Sequence, residues 1–163
     1  MKRILDDVGD EPGNLPLLEF ALTELWARRK GKLMTHSAHE ESGEVSGAMA
    51  LRAEAVFVAL PPEQQEHVHR LLTRLVWVGD REQMTLATRQ RAHLSELGEE
   101  SRQVLMVMTD ARLLVIGKLG AGGEETAEVA HEALILHWER LRGWLDEDRE
   151  FLLWRRRLQT ALA

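Results

Sequence analysis

The fold of this chain is decided by residues 113–135, which read LLVIGKLGAGGEETAEVAHEALI. An apolar run over Leu113–Leu119 and an alternating run over Thr126–His131 flank a glycine-rich turn, which predicts a β-hairpin. A helix is predicted to follow over Ala133–Leu145, because Leu134, Trp138, Leu141 and Leu145 share one face. His131 therefore lies where an extended run meets a helix, and backbone N–H groups point outward at such junctions.

Helical periodicity predicts four further helices before the hairpin, at Leu17–Lys30, at Val45–Leu60, from Pro62 to Gly79-Asp80, and at Glu99–Arg112. A short strand is predicted at Met84–Thr88 and a short turn or helix around Leu94–Leu97. After an acidic segment at residues 146–148, one more helix is marked by Phe151, Trp154, Leu158 and Leu162.

From Pro62 onward the predicted order is helix, short strand, short helix, helix, strand, glycine turn, strand, helix. This is the order of a winged helix, with a three-helix core and a β-hairpin wing. The sequence therefore predicts a mainly α fold. We expect a small helical domain over residues 1–60, a winged helix over 61–145 and a C-terminal helix over 146–163.

The amino-acid composition limits the classes of protein to which this chain can belong. The 163 residues are 44% hydrophobic and 29% charged, as in globular proteins that fold in water. No run approaches 18 apolar residues and the first residues carry no signal-peptide core, so we expect no membrane association. Cysteine is absent from the sequence, which excludes disulfides and thiolate chemistry and fits a cytoplasmic location.

Charge argues against nucleic acid as a partner. The net charge is −6, whereas a DNA reader needs a basic face for phosphates. The helix that would enter the major groove begins with Glu99 and Glu100, which would face those phosphates. The basic run Arg155–Arg157 lies on a predicted helix; a solvated face is the favoured interpretation and contact with a partner domain the next.

Catalytic and metal motifs are incomplete. Gly120–Gly123 is followed by two glutamates and opens a strand, so it fails as a phosphate loop. His131-Glu132 resembles the start of a zinc-protease HExxH, but Ile135 stands where the second histidine belongs. No nucleophile elbow is present either. We therefore predict no catalytic residues and no metal ligands.

The order and spacing of several stretches resemble the novel STAND NTPases, in the bacterial type-1 branch related to the NB-ARC and AP-ATPase class. The resemblance covers nearly the whole chain. It is carried by Leu15–Leu22, Thr88–Arg91, His131–Ile135 with Trp138, Arg140-Leu141 and Trp144-Leu145, and Asp148–Leu152.

The resemblance implies a nucleotide-dependent signalling switch, closed with ADP and open and oligomeric with ATP. In the wider class, a proline of the helical domain packs on adenine and a histidine in a Met-His-Asp motif contacts the ADP β-phosphate. Pro16 and His131 match those positions. Ala130 and Glu132 replace the methionine and the aspartate, and two residues rather than one separate the glycine from Pro16. The competing interpretation is that His131 only caps its helix.

The expected function is that of a regulatory fragment that helps to hold nucleotide and relays the switch. No Walker A or Walker B motif is present, so we expect no enzyme activity and no cofactor in the fragment alone; ADP or ATP with Mg²⁺ is implied for the parent. Expected partners are the P-loop NTPase domain of the same parent chain and downstream sensor repeats or an effector. Two alternatives remain open: a winged-helix DNA-binding regulator and a protein-interaction scaffold.

Overall fold

The computed structural model describes Glu19, Leu22, Thr23 and Trp26, which are helical, and then residues 44–79, 87–118 and 123–162. The fold of these ranges is mainly α, as predicted. The helices are α1 Glu44–Ala59, α2 Pro62–Arg74, α3 Glu99–Asp110, α4 Glu132–His137, α5 Glu139–Glu147 and α6 Arg149–Leu162, with a 3-10 turn at Leu94–Glu96. The strands are β1 Val76–Val78, β2 Ala87–Arg89, β3 Ala92–His93, β4 Leu114–Lys118 and β5 Glu125–Val129.

Helix α1 buries the apolar face that its sequence predicts, and its bounds lie within one residue of the predicted ones. The buried side chains of this face are Ala48, Met49, Ala53 and Phe57. They belong to the same hydrophobic core as the later helices, and α1 packs mainly against α4. The domain boundary at residue 60 stays a prediction.

Helix α2 begins as predicted, with Pro62 in the first turn, where its missing N–H costs nothing. The prediction that it runs to Gly79-Asp80 is wrong, because α2 ends at Arg74 and residues 76–78 form β1. Strand β1 pairs antiparallel with β2, with Val76 opposite Arg89. Its β-branched valines favour this pairing, and the Gln90 N–H donates to the Leu75 carbonyl at 2.8 Å.

The predicted β-hairpin is confirmed by the antiparallel pairing of β4 with β5, in which Leu114 lies opposite Val129. Strand β5 is central in a three-stranded sheet of order β3-β5-β4. The edge strand β3 was not predicted, and the 3-10 turn falls inside the predicted turn region. The predicted strand at 84–88 lies partly outside the described residues; its described part belongs to β2.

The single helix predicted over Ala133–Leu145 is interrupted at Trp138, where the backbone is extended with φ −83° and ψ 103°. Trp138 ends α4 through an N–H bond to the Leu134 carbonyl at 3.2 Å. Its own carbonyl accepts from Arg142 at 3.1 Å and so opens α5. The break inserts the Trp138 side chain, which is only 2% exposed, into the core.

Helix α6 forms as predicted, but the aromatic residues that mark it are exposed. Leu152 is buried, whereas the stacked rings of Phe151 and Trp154 face outward. The solvated face expected for Arg155–Arg157 is wrong for Arg155, which donates to the Thr73 carbonyl at 3.1 Å. Burial lowers the pKa of Arg155, and the nearby charge of Arg74 lowers it further. None of the helices in the described ranges is long and apolar enough to span a bilayer.

Candidate functional site

His131 is the residue immediately before α4, and its ring caps that helix. The Ala133 N–H donates to His131 Nδ1 at 3.1 Å, and the His131 backbone is extended, as an N-cap residue requires. Because Nδ1 accepts this bond, the neutral ring carries its proton on Nε2. Capping therefore fixes both the orientation and the tautomer of the ring, with the proton on Nε2.

Arg112 adopts a left-handed backbone conformation, with φ 60°. It follows the C-cap residue of α3 and completes a Schellman motif. In this motif the Arg112 N–H donates to the Thr109 carbonyl at 2.8 Å and the Leu113 N–H to the Met108 carbonyl at 2.9 Å. Glycine usually occupies this position, because a side chain there costs about 1–2 kcal/mol.

The salt bridge of Arg112 does not offset that cost. Its Nη1 lies 2.8 Å from Oε1 of Glu19, with side chains 60% and 70% exposed. Exposed pairs contribute about 0–1 kcal/mol, less than the backbone strain. Non-glycine residues held in this region often mark functional positions. Stability alone therefore does not explain why an arginine occupies this position.

Arg112 and His131 flank the base of the hairpin. Leu114 lies opposite Val129, and the Ala130 N–H donates to the Leu113 carbonyl at 3.0 Å, which extends the ladder by one step. Arg112 precedes Leu113 and His131 follows Ala130, so both residues flank this end of the ladder, although they are 19 positions apart in the sequence.

Arg112 and His131 line one groove of about 470 Å³. Its apolar wall includes Met49 of α1 together with Val115 and Ile116 of β4, and Glu19 closes it near Arg112. The groove thus combines an apolar wall with nitrogen-bearing side chains at one edge. Guanidinium and imidazole N–H groups suit an anionic group.

Residues 1–163 match the family model for Novel STAND NTPase 1. The chain belongs to this family. No curated protein and no solved structure matches the chain. The match confirms the resemblance drawn from the sequence, and it associates the chain with STAND-type NTPases.

Of the two site residues expected from the STAND resemblance, the structure describes His131; Pro16 lies outside the described residues. Glu132, which replaces the aspartate of the wider class, lies in the first turn of α4, with Oε1 3.9 Å from Nε of Arg89. Ala130, which replaces the methionine, continues the hairpin ladder. Sequence reasoning did not find Arg112, because nothing in its identity predicts a left-handed residue. Across the described ranges, no three His, Asp or Glu side chains are placed to hold a metal ion.

A second polar cluster in this STAND chain joins α1 to α5. The Glu54 carboxylate accepts from Trp138 Nε1 at 2.8 Å and from Arg140 Nε at 3.0 Å. The Arg140 guanidinium also lies 4.5 Å from the centre of the Phe57 ring. Hydrogen bonds from Arg140 hold the pKa of Glu54 below its usual 4.5; burial opposes this shift, and the Trp138 bond supports it.

Because the pKa of Glu54 is lower in the folded than in the unfolded state, its ionisation stabilises the fold. This contribution is fully present well above pH 4.5. It is lost as the pH falls through that value and then through the folded-state pKa. We expect the stability difference between the wild type and Glu54→Gln to shrink over this range, measured by urea unfolding from pH 7 downward. A difference that stayed constant with pH would contradict the assignment; Glu66→Gln, on the exposed face of α2, is the matched control.

Proposed function

We propose that this chain is a regulatory part of a STAND-type signalling NTPase. It forms a helical lid followed by a winged helix, holds nucleotide in the closed state and relays the switch to sensor or effector domains. Family membership supports this proposal, as does the succession of α2, the 3-10 turn, α3 and the β4–β5 hairpin, with β3 completing a sheet typical of winged helices.

The observation that carries the proposal is the placement of His131. Its ring lines the groove, and the Ala133 N–H fixes the tautomer with the proton on Nε2. In that form Nε2 carries the proton that a hydrogen bond to a phosphate oxygen of ADP requires. The phosphate group in the groove would be that of ADP. Mg²⁺ would be bound by the P-loop domain of the same parent chain.

We assign nucleotide hydrolysis to that P-loop domain. The present sequence contains no Gly-x-x-x-x-Gly-Lys-Ser/Thr loop to cradle phosphates. The role proposed for this chain is to retain nucleotide and to transmit its state. The acidic first turn of α3, with Glu99 and Glu100 both exposed, does not suit a DNA groove.

Replacement of His131 in the full-length protein separates phosphate binding from helix capping. His131→Ala removes both functions, whereas His131→Ser keeps a side-chain oxygen that can cap α4. We expect both variants to release ADP faster, by roughly tenfold, as for one lost hydrogen bond of about 1.4 kcal/mol. The measurement is the release rate of a fluorescent ADP analogue, with oligomer size determined by light scattering.

Stability provides the control for this experiment. His131→Ala should lose about 1 kcal/mol of unfolding free energy relative to His131→Ser. If the serine variant retained ADP as the wild type does, His131 would be a cap alone and its nucleotide role would be wrong.

A further inference from the structure

We propose that Arg112 is a second ligand of the nucleotide phosphates and that Glu19 occupies it when phosphate is absent. The inference rests on the proposed function for the identity of the ligand. It adds a residue, and an internal competitor for that residue, which the STAND resemblance does not supply.

The first reason is position. Arg112 and His131 each lie two residues beyond the last pair of the hairpin register, Leu114 and Val129, and both line the same groove. A phosphate bound at His131 would therefore lie in the same groove as Arg112. Arginine can donate two parallel hydrogen bonds to a phosphate, so it adds both charge and orientation.

The second reason is the strained backbone of Arg112. The Schellman motif requires a left-handed residue between α3 and β4, and glycine would serve better there. Its bonds come from the backbone alone, so the motif does not need the guanidinium. The left-handed conformation instead fixes the direction in which the side chain leaves the chain, toward the groove.

The third reason is the present partner of the guanidinium. Nη1 of Arg112 binds a carboxylate oxygen of Glu19 at 2.8 Å, and Glu19 lines the groove as well. A carboxylate offers a guanidinium the same geometry as two oxygens of a phosphate. Because the pair is largely exposed, it is weak enough for a phosphate to displace. The Glu19 carboxylate thus binds the Arg112 guanidinium in place of the ligand, and nucleotide phosphate must compete with Glu19 for the guanidinium.

The test uses the full-length protein and a fluorescent ADP analogue. Arg112→Gly removes the guanidinium and suits the left-handed backbone, so the variant should fold at least as stably as the wild type. We expect it to release ADP roughly tenfold faster, as for one lost charged hydrogen-bonding partner. The ADP release rate of Arg112→Lys should lie between those of the wild type and Arg112→Gly. Glu19→Gln, which removes the competing charge, should slow ADP release by a few-fold.

Two controls make the result specific. Arg91→Gln removes an exposed arginine that pairs with Glu128 on the hairpin and does not line the groove; it should leave release unchanged. The effect of Arg112→Gly should also be larger for ADP than for AMP, because the proposed contact is with phosphate. An equal effect on the two nucleotides would overturn the assignment to phosphate.

The outcomes distinguish this inference from the proposed function. If His131→Ser accelerates ADP release and Arg112→Gly does not, Arg112 is only the partner of Glu19 and this inference is wrong. If neither variant changes release, the groove does not hold nucleotide and both proposals are wrong. Faster release from Arg112→Gly together with slower release from Glu19→Gln supports the inference.

Discussion

Replacing Trp138 by alanine is expected to lower the free energy of unfolding by about 3–5 kcal/mol, as for other buried aromatic residues. The side chain is 2% exposed, and its ring makes edge contacts with Phe57 and Trp144 at centroid distances of 6.1 and 5.6 Å. The substitution leaves a cavity at the junction of α4 and α5, and it also removes the indole donor of Glu54. Urea unfolding followed by circular dichroism measures the loss.

A phenylalanine at the same position separates the two parts of this loss. Trp138→Phe keeps an aromatic ring but removes the N–H, so we expect a smaller loss of about 1–2 kcal/mol. Combined with Glu54→Gln in a double-mutant cycle, it should show a coupling energy of about 0.5–3 kcal/mol. Additive losses from the two changes would mean that the Trp138–Glu54 bond does not stabilise the junction.

Leu134→Ala is expected to cost about 2–5 kcal/mol, because the side chain lies fully buried in α4 and its removal leaves a cavity. The same helix supplies a matched control. Leu136 is 51% exposed two residues later, and Leu136→Ala should change the unfolding free energy by no more than about 0.5 kcal/mol. Both variants remove the same atoms from the same helix, so helix propensity cancels in the comparison.

Urea midpoints of the two leucine variants, measured side by side, test how α4 is docked. Similar losses in both would show that the buried face of α4 has been assigned wrongly. A large loss in Leu134→Ala alone would support the packing of α4 on α1 in the common hydrophobic core.

Elements set by local pattern were predictable from the sequence. Helices α1 and α3 and the hairpin follow from apolar spacing and a glycine-rich turn, signals that lie within about 20 residues. The position of His131 at a strand-to-helix junction follows from the same signals. Helix α3 nevertheless ends at Asp110, two residues before the predicted end, because Arg112 leaves the helical region.

Features set by distant partners were not predictable in this way. The end of α2 depends on the pairing of β1 with β2, which lies beyond Asp80 in the chain. The break at Trp138 inserts its indole toward Glu54 in α1. Periodicity favours a continuous helix at that point, since no proline or glycine marks the interruption. Arg112 was missed for a related reason, because the left-handed C′ position is normally signalled by glycine or asparagine.

The hydrogen bond between Glu54 and Trp138 joins residues 84 positions apart in the sequence. Bringing such distant groups together costs chain entropy before the contact contributes any stabilising energy. Contacts of this kind therefore tend to form late in folding. An interaction absent from the transition state affects mainly the rate of unfolding. We therefore expect Trp138→Phe to act chiefly on the unfolding limb of a chevron plot. The docking of α1 would then set how long the folded chain persists, more than how quickly it forms.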